Sequence, residues 1–457
     1  MKLNDLAKQA GLLVCACVLA ACGAEGAAKP DVEADFPALE IPEPVKPPAI
    51  DSFYGPVLER LDTDMKQFVQ TGKVANIAYA LVKDGEWVQT GYYGSRTLGG
   101  DEPVDEHTIY RIYSMTKAVT AVALLMLYEE GKFSMDDPIT RFLPELDNLQ
   151  VVSTYAAKGA SGIHPASRPA TMRELLTHTA GFAYGDGRQD YANRRFAERN
   201  VGGAPTSREY LRRIAGIPLM YEPGTAWSYS AASDLQGIIV ERMTGERLGD
   251  FMKRRIFNPL GMVDTGFSVT ETQRPRLADM TAWTPEAGIK AVPGVLTNMA
   301  ASDFPLDAGG HGLVSTIADY ERFARMLLHD GVFEDATLLQ PESVEMLRTN
   351  ALGFTNSETG LPTYEPARGT GFGFGVGVVT NTIRSGLAAP EGTYFWDDAS
   401  GTWFWIDPRH DIVFIGMVQN MSPNPVRPWR TAMVDVYHAL FTDYFPNNPV
   451  VAEDSAD

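Results

Sequence analysis

The chain is 457 residues long, enough to bury a large core as one big domain or as two interleaved ones. Its 44% hydrophobic and 21% charged residues are ordinary for a soluble globular protein and confine disorder to the ends. With 39 basic against 58 acidic residues and a net charge of -19, it argues against a phosphate-binding surface and against nucleic acid as a partner; an acidic, solvated exterior fits better.

In chain order, the first segment is MKLNDLAKQAGLLVCACVLAACG. Lys2 and Lys8 lie in its polar head, an apolar run follows from Gly11 to Ala21, and small residues precede Cys22. This is secretory-signal organisation, with an apolar core too short to span a bilayer. Leu19-Ala20-Ala21-Cys22-Gly23 resembles a bacterial lipobox. That resemblance implies a signal peptide over residues 1–21 and lipid on Cys22. It also implies a cell-envelope location, anchored at the outer membrane and facing the periplasm. An ordinary signal cut near Ala21 or Ala24 is the alternative. Cys15, Cys17 and Cys22 all lie in this segment, so the mature body has no disulfide, cysteine nucleophile or thiolate metal site. Residues 22–50, rich in Pro, Ala, Glu and Asp, read as an extended tether. A folded body over 51–445 and an acidic tail over 446–457 complete the domain reading.

A helix is predicted from about Tyr54 to Thr71. NIAYALVKDGEWVQTGYYG then gives two strand-like runs around Asp84-Gly85, a hairpin signal. The middle of the chain reads as mainly helical and loop-rich, with helix-ending glycines at Gly131 and Gly245. Strand texture returns in FGFGVGVVTN, TYFWDD and TWFWIDPRHDIVFIGMVQN, before a last helix from Trp429 to Phe441. The glycines from Gly369 to Gly377 alternate with other residues, as in a sheet segment with close backbone packing. Strands at both ends around a helical centre predict one antiparallel sheet built from both termini.

The stretch YSMTK, Tyr113 to Lys117, contains the only S-x-x-K of the chain. It heads an apolar helical run, Ala118 to Tyr128, that reads as buried. Residues three apart share a helix face, so Lys117 can bring its amine beside the Ser114 hydroxyl. The helix N-terminus favours an oxyanion and helps lower a nearby lysine pKa, leaving a neutral amine able to act as a base. A serine cap followed by a solvent-facing lysine explains the same spacing without chemistry. S-x-x-K also belongs to the signatures of serine β-lactamases and penicillin-binding proteins.

Other stretches resemble that family, class C β-lactamases and their esterase relatives in particular. EPGTAWSYSAASDLQGIIVERMTG places Tyr229 after a Pro223-Gly224 turn, just ahead of an amphipathic helix, and resembles the family's Tyr-containing element. LLTHTAGF (from Leu175), NPLGMVDTGF (from Asn258) and GGHGLVSTIADYERFARMLL (from Gly309) follow the family's blocks in order. WDDASGTWFWIDP, from Trp396, resembles the strand that carries Lys-Thr-Gly in β-lactamases and Trp-Gly-Gly in many of the esterases. The resemblance covers roughly residues 54 to 441. It implies an α+β fold of the β-lactamase/transpeptidase type, with an antiparallel sheet from both chain ends, flanking helices and an inserted helical region.

By the same resemblance, Ser114 is the acylated nucleophile and Lys117 and Tyr229 are its proton-handling partners, with the choice of base left open. The oxyanion hole uses the N–H groups of Ser114 and Ala399. His311, Trp396, Asp397 and Asp398 border the substrate, whereas His178 reads as a satisfied core histidine. Ala231 and Trp396 stand where β-lactamases have an asparagine and a lysine, which favours the esterase branch. A carboxylate at Asp398 is expected to repel developing negative charge unless it is turned away or neutralised. Removing it should then speed acylation, with a smaller effect at Asp397. No G-x-S-x-G, H-E-x-x-H or Gly-rich phosphate loop is present. The reading is a serine hydrolase acting on a small-molecule ester or amide through an acyl-enzyme, needing no cofactor and no metal. Alternatives are a D-amino-acid peptidase, a weak β-lactamase, or a catalytically silent envelope-binding protein.

Overall fold

The computed structural model describes residue 53 and residues 55–152, 162–185, 187–188, 190–292, 306–353, 369–422 and 427–441. The signal segment, Cys22, the tether and the acidic tail lie outside the described residues. Helix α1 (Gly55–Gln70) leads into β1 (Asn76–Lys83) and β2 (Glu86–Gly94). Between the strands Asp84 and Gly85 take positive φ, 52° and 78°. A two-residue hairpin that follows the twist of its strands needs that left-handed pair, which is why Asp-Gly stands there.

The chain then builds α2 (Thr116–Glu129), α3 (Met172–Leu176), α4 (Ala232–Thr244) and α5 (Ile317–Leu328). It returns through β3 (Thr370–Phe372), β4 (Gly377–Val379), β5 (Tyr394–Asp397), β6 (Trp403–Asp407) and β7 (Ile412–Met417), and closes on α6 (Pro428–Phe441). The seven strands form one antiparallel sheet in the order β3-β4-β5-β6-β7-β1-β2. Strand β1 sits between β2 and β7, with Ala80 opposite Thr90 on one side and Ile415 on the other. The sheet is therefore made from both ends of the folded body, in an α+β arrangement.

Every residue of β1 is buried, and its two faces belong to different cores. Ile77, Tyr79 and Leu81 face α1 and α6 together with Trp403, Trp405 and Phe414. Ala78, Ala80 and Val82 face the helical middle together with Phe404, Val413 and Ile415. Period-2 alternation of large against small residues is what lets one strand serve both layers. Burying an aromatic or aliphatic side chain of this kind contributes roughly 2 kcal/mol, so the two layers hold the sheet from both sides.

The glycine run is a sheet segment, as its alternation predicts, in the form of the β3–β4 hairpin turning through Gly373 to Val376, whereas the amphipathic reading of α4 is corrected. Gly375 has φ 77°, and a Cβ there would lie 2.8 Å from the Lys117 carbonyl oxygen, so its backbone packs directly on α2. Helix α4 is also buried on nearly all sides, from Ala232 through Val240, with Ser233, Asp234 and Gln236 inside rather than facing solvent.

Candidate active site

Between Thr108 and Leu127, Ser114 is the only residue that is not buried. It lies in a single tight turn, Tyr113–Met115, immediately before α2. Tyr113 has φ 30°, an unfavourable conformation for a side-chain-bearing residue, and such strain concentrates where function fixes the backbone. Lys117, one turn into α2, has no exposed surface. Its Nζ lies 3.3 Å from Ser114 Oγ and donates to the Gly310 carbonyl at 2.6 Å. The Tyr184 and Tyr229 rings flank the amine, with centroids at 5.4 and 4.5 Å. Burial lowers the Lys117 pKa to about 7, with the charges of Asp234 and Asp398 acting in the other direction. The alternative of a solvent-facing lysine is thereby removed.

Tyr229 lies just before α4, and its hydroxyl donates to Ser114 Oγ at 2.6 Å. Burial pushes its pKa up, outweighing the opposing effect of the neighbouring Ser114 hydroxyl, so the phenol is protonated at neutral pH. Arg188 holds the segment in place, donating to the Tyr229 carbonyl at 2.6 Å and to Ser228 Oγ at 2.7 Å. His178 stacks on the Tyr229 ring at 5.2 Å. Its Nδ1 accepts the Ser230 N–H at 3.1 Å, and its Nε2 lies 3.4 Å from Ser233 Oγ. Burial, then the Lys117 and Arg188 charges, keep this imidazole neutral. It is a core histidine that packs beneath Tyr229.

Trp396, on β5, packs its ring 5.5 Å from Tyr229 and 5.3 Å from Phe372, making an aromatic wall beside the serine. Strand β5 packs against the turn that carries Ser114. The β5–β6 turn that follows contains Ala399. Asp398 occupies itself within that turn. Its carboxylate accepts from the Ser400, Gly401 and Thr402 N–H groups at 2.7, 2.6 and 3.0 Å, and from the Ser400 and Thr402 hydroxyls. Burial still raises its pKa to about 7. The side chain is turned back into its own hairpin, the condition under which repulsion of an oxyanion is not expected. Asp397 is held in an ion pair with Arg427 at 3.0 Å.

Sequence reasoning missed Asp234. It is buried in the first turn of α4, accepts the Gly310 N–H at 2.9 Å, and lies 3.6 Å from His311 Nδ1. Its place on the polar side of a helix that reads as amphipathic gave no signal that it is buried. Among the described residues no His/Cys/Asp/Glu cluster of metal-binding geometry occurs, and no helix is long and apolar enough to cross a membrane. A hollow of about 420 Å³, lined by Glu102, Arg111, Arg274, Asp279 and neighbours, includes none of Ser114, Lys117 and Tyr229.

The family model for Beta-lactamase matches residues 61–437. An uncharacterized Mycobacterium tuberculosis protein is 36% identical over 339 residues, covering 73% of this chain and 82% of its own. Lovastatin esterase of Penicillium rubens is 30% identical over 387 residues, covering 79% and 93%. Among solved structures, EstCE1, titled a hydrolase with promiscuous acyltransferase activity, superposes with a TM-score of 0.69. It is 22% identical, over 83% of this chain and 98% of that one.

Proposed function

The chain belongs to the beta-lactamase family, and from that premise we propose that it is a serine hydrolase of esterase type, working through an acyl-enzyme on Ser114. The observation that carries the reading is one serine hydroxyl within reach of both a buried amine and a tyrosine hydroxyl. Lys117 titrates near 7 and Tyr229 well above its ordinary value, which makes the neutral amine the base and the phenol the acid. Ser114 Oγ attacks the ester carbonyl carbon while its proton passes to Lys117 Nζ. The tetrahedral oxygen takes hydrogen bonds from the Ser114 and Ala399 N–H groups. As the carbonyl–alkoxy bond breaks, the leaving oxygen takes the Tyr229 proton, and Lys117 returns the proton it took from Ser114 to the resulting phenolate. Water then repeats the sequence on the acyl-enzyme. Trp396 supplies apolar surface for the substrate, backed by the buried Phe372 ring, and His311 borders the amine side.

A fluorophosphonate probe with intact-mass detection tests this. One adduct is expected on the wild type and none on Ser114→Ala, which should also lose hydrolysis of short-chain aryl esters while keeping its fold. Lys117→Ala and Tyr229→Phe should each slow acylation by about 10²- to 10⁴-fold, the range for lost acid–base help. No adduct and no turnover in the wild type would leave a silent binding protein as the reading.

A further inference from the structure

Two glycines let α4 approach the serine from behind. A Cβ on Gly309 would lie 2.5 Å from the Ser233 carbonyl oxygen, and one on Gly310 would lie 3.0 Å from both carboxylate oxygens of Asp234. The backbone of this loop is thus pressed onto the head of α4. Asp234 itself is only 4% exposed and takes hydrogen bonds from the Gly310 N–H at 2.9 Å and the Tyr210 hydroxyl at 3.2 Å. On the other side of the same peptide unit's residue, the Gly310 carbonyl accepts from Lys117 Nζ at 2.6 Å. Thr120, one turn further along α2, donates to the Gly309 carbonyl at 2.7 Å, so the loop is held by both helices.

We propose that Asp234 is a positioning residue for Lys117: it holds the Gly310 carbonyl against the amine, and its negative charge retains the amine's proton. The inference rests on the serine hydrolase reading and assigns within it a residue that does not touch the substrate. A carboxylate joined to an amine through one glycine acts in two separable ways. Its shape fixes the loop, and its charge sets how readily Lys117 gives up a proton. Other groups also face the amine. Asp398, from the β5–β6 turn, adds negative charge; His178 and His311 are both held toward the neutral form by burial; Tyr229 and Tyr184 present their rings. Of the two carboxylates, Asp234 is the one bonded to the residue that holds the amine.

Asp234→Asn separates shape from charge, because the amide oxygen can still accept the Gly310 N–H. The wild-type profile of kcat/KM against pH should rise with a midpoint near 7, as Lys117 loses its proton. In the variant the proton is held less firmly, so this limb should move to lower pH, by on the order of one unit. The plateau should fall only about threefold, as expected for a base weaker by that amount, and KM should change little. Relative to its own plateau, the variant is then more active than wild type at pH 6. Uniform loss of activity with an unmoved limb, or a limb moved upward, would overturn the proposal and leave Asp234 a packing residue. An unchanged profile would overturn it too. Should Asp234→Asn not fold, Asp234→Ser removes the same charge and carries the same expected shift. Failure of the hydrolase reading looks different, because the wild type itself would then lack both the Ser114 adduct and turnover.

Discussion

Lys117 has no exposed surface, and the groups bonded to its amine are a serine hydroxyl and a backbone carbonyl rather than a carboxylate. A buried ammonium in such company is unfavourable, so the fold stabilises the neutral amine. Between about 7 and the ordinary 10.5 the unfolded chain holds this proton and the folded chain does not. Fold stability from this group therefore rises with pH across that window and is weakest below it. Asp398 shows the opposite economy, spending its carboxylate on the turn that carries Ala399. Asp398→Gly should accordingly slow acyl-enzyme formation, by roughly ten- to a hundredfold, because the turn loses its internal acceptor and the Ala399 N–H loses its placement. Stopped-flow acylation with an aryl ester measures this. A faster variant would restore charge repulsion as the role of Asp398.

Helices α1 and α6 pack together on the sheet face opposite the active site. Their contact includes an acidic pair: Asp435 of α6 is 1% exposed and lies 3.4 Å from Arg60, which also reaches Asp64 at 3.5 Å. Burial first, and the neighbouring Asp64 charge second, raise the Asp435 pKa to about 7. The folded protein thus binds a proton that the unfolded chain releases near 4, and stability from this group falls as pH rises from about 4 to 7. Asp435→Asn removes the ionisation. Calorimetry should find its melting temperature raised by roughly 2–5 °C at pH 8 and nearly unchanged at pH 4. An equal shift at both pH values would show that packing, not charge, is responsible.

At the scale of the molecule, the first strand pair is completed only when β7 arrives more than three hundred residues later, with Lys83 opposite Ile412. The sheet cannot close without both ends of the body, and the serine turn is fixed against β5 from the late half. The Leu19–Gly23 pattern lies outside the described residues, and it is the basis of a separate proposal: Cys22 carries lipid and tethers the hydrolase to the outer membrane. Mass analysis of the mature N-terminus should find diacylglyceryl-cysteine. Cys22→Ser should leave precursor or a soluble product in fractionation. A wild-type N-terminus without lipid, with unchanged fractionation, would rule the anchor out.

The sequence by itself determined what depends on short spacing and on side-chain alternation. Ser114 and Lys117 share a face because they stand three residues apart, Asp84-Gly85 turns because of its backbone, and β1 and β7 read as strands because large apolar residues recur. The family blocks added Tyr229 in its place before α4. What only the tertiary structure decided are contacts between distant segments whose residues carry no local pattern. Gly310 meets Asp234 across 76 residues and Lys117 across 193, and no periodicity links them. The orientation of Asp398 stayed open for a related reason: its partners are its own neighbours, but whether a carboxylate turns back into a hairpin or outward depends on how that turn packs. The polar side of α4 looked solvent-facing because hydropathy alone cannot distinguish water from a buried polar site. Here Asp234 faces the lysine loop, and the desolvation that lowers the Lys117 pKa exists only once α2, α4 and that loop are assembled.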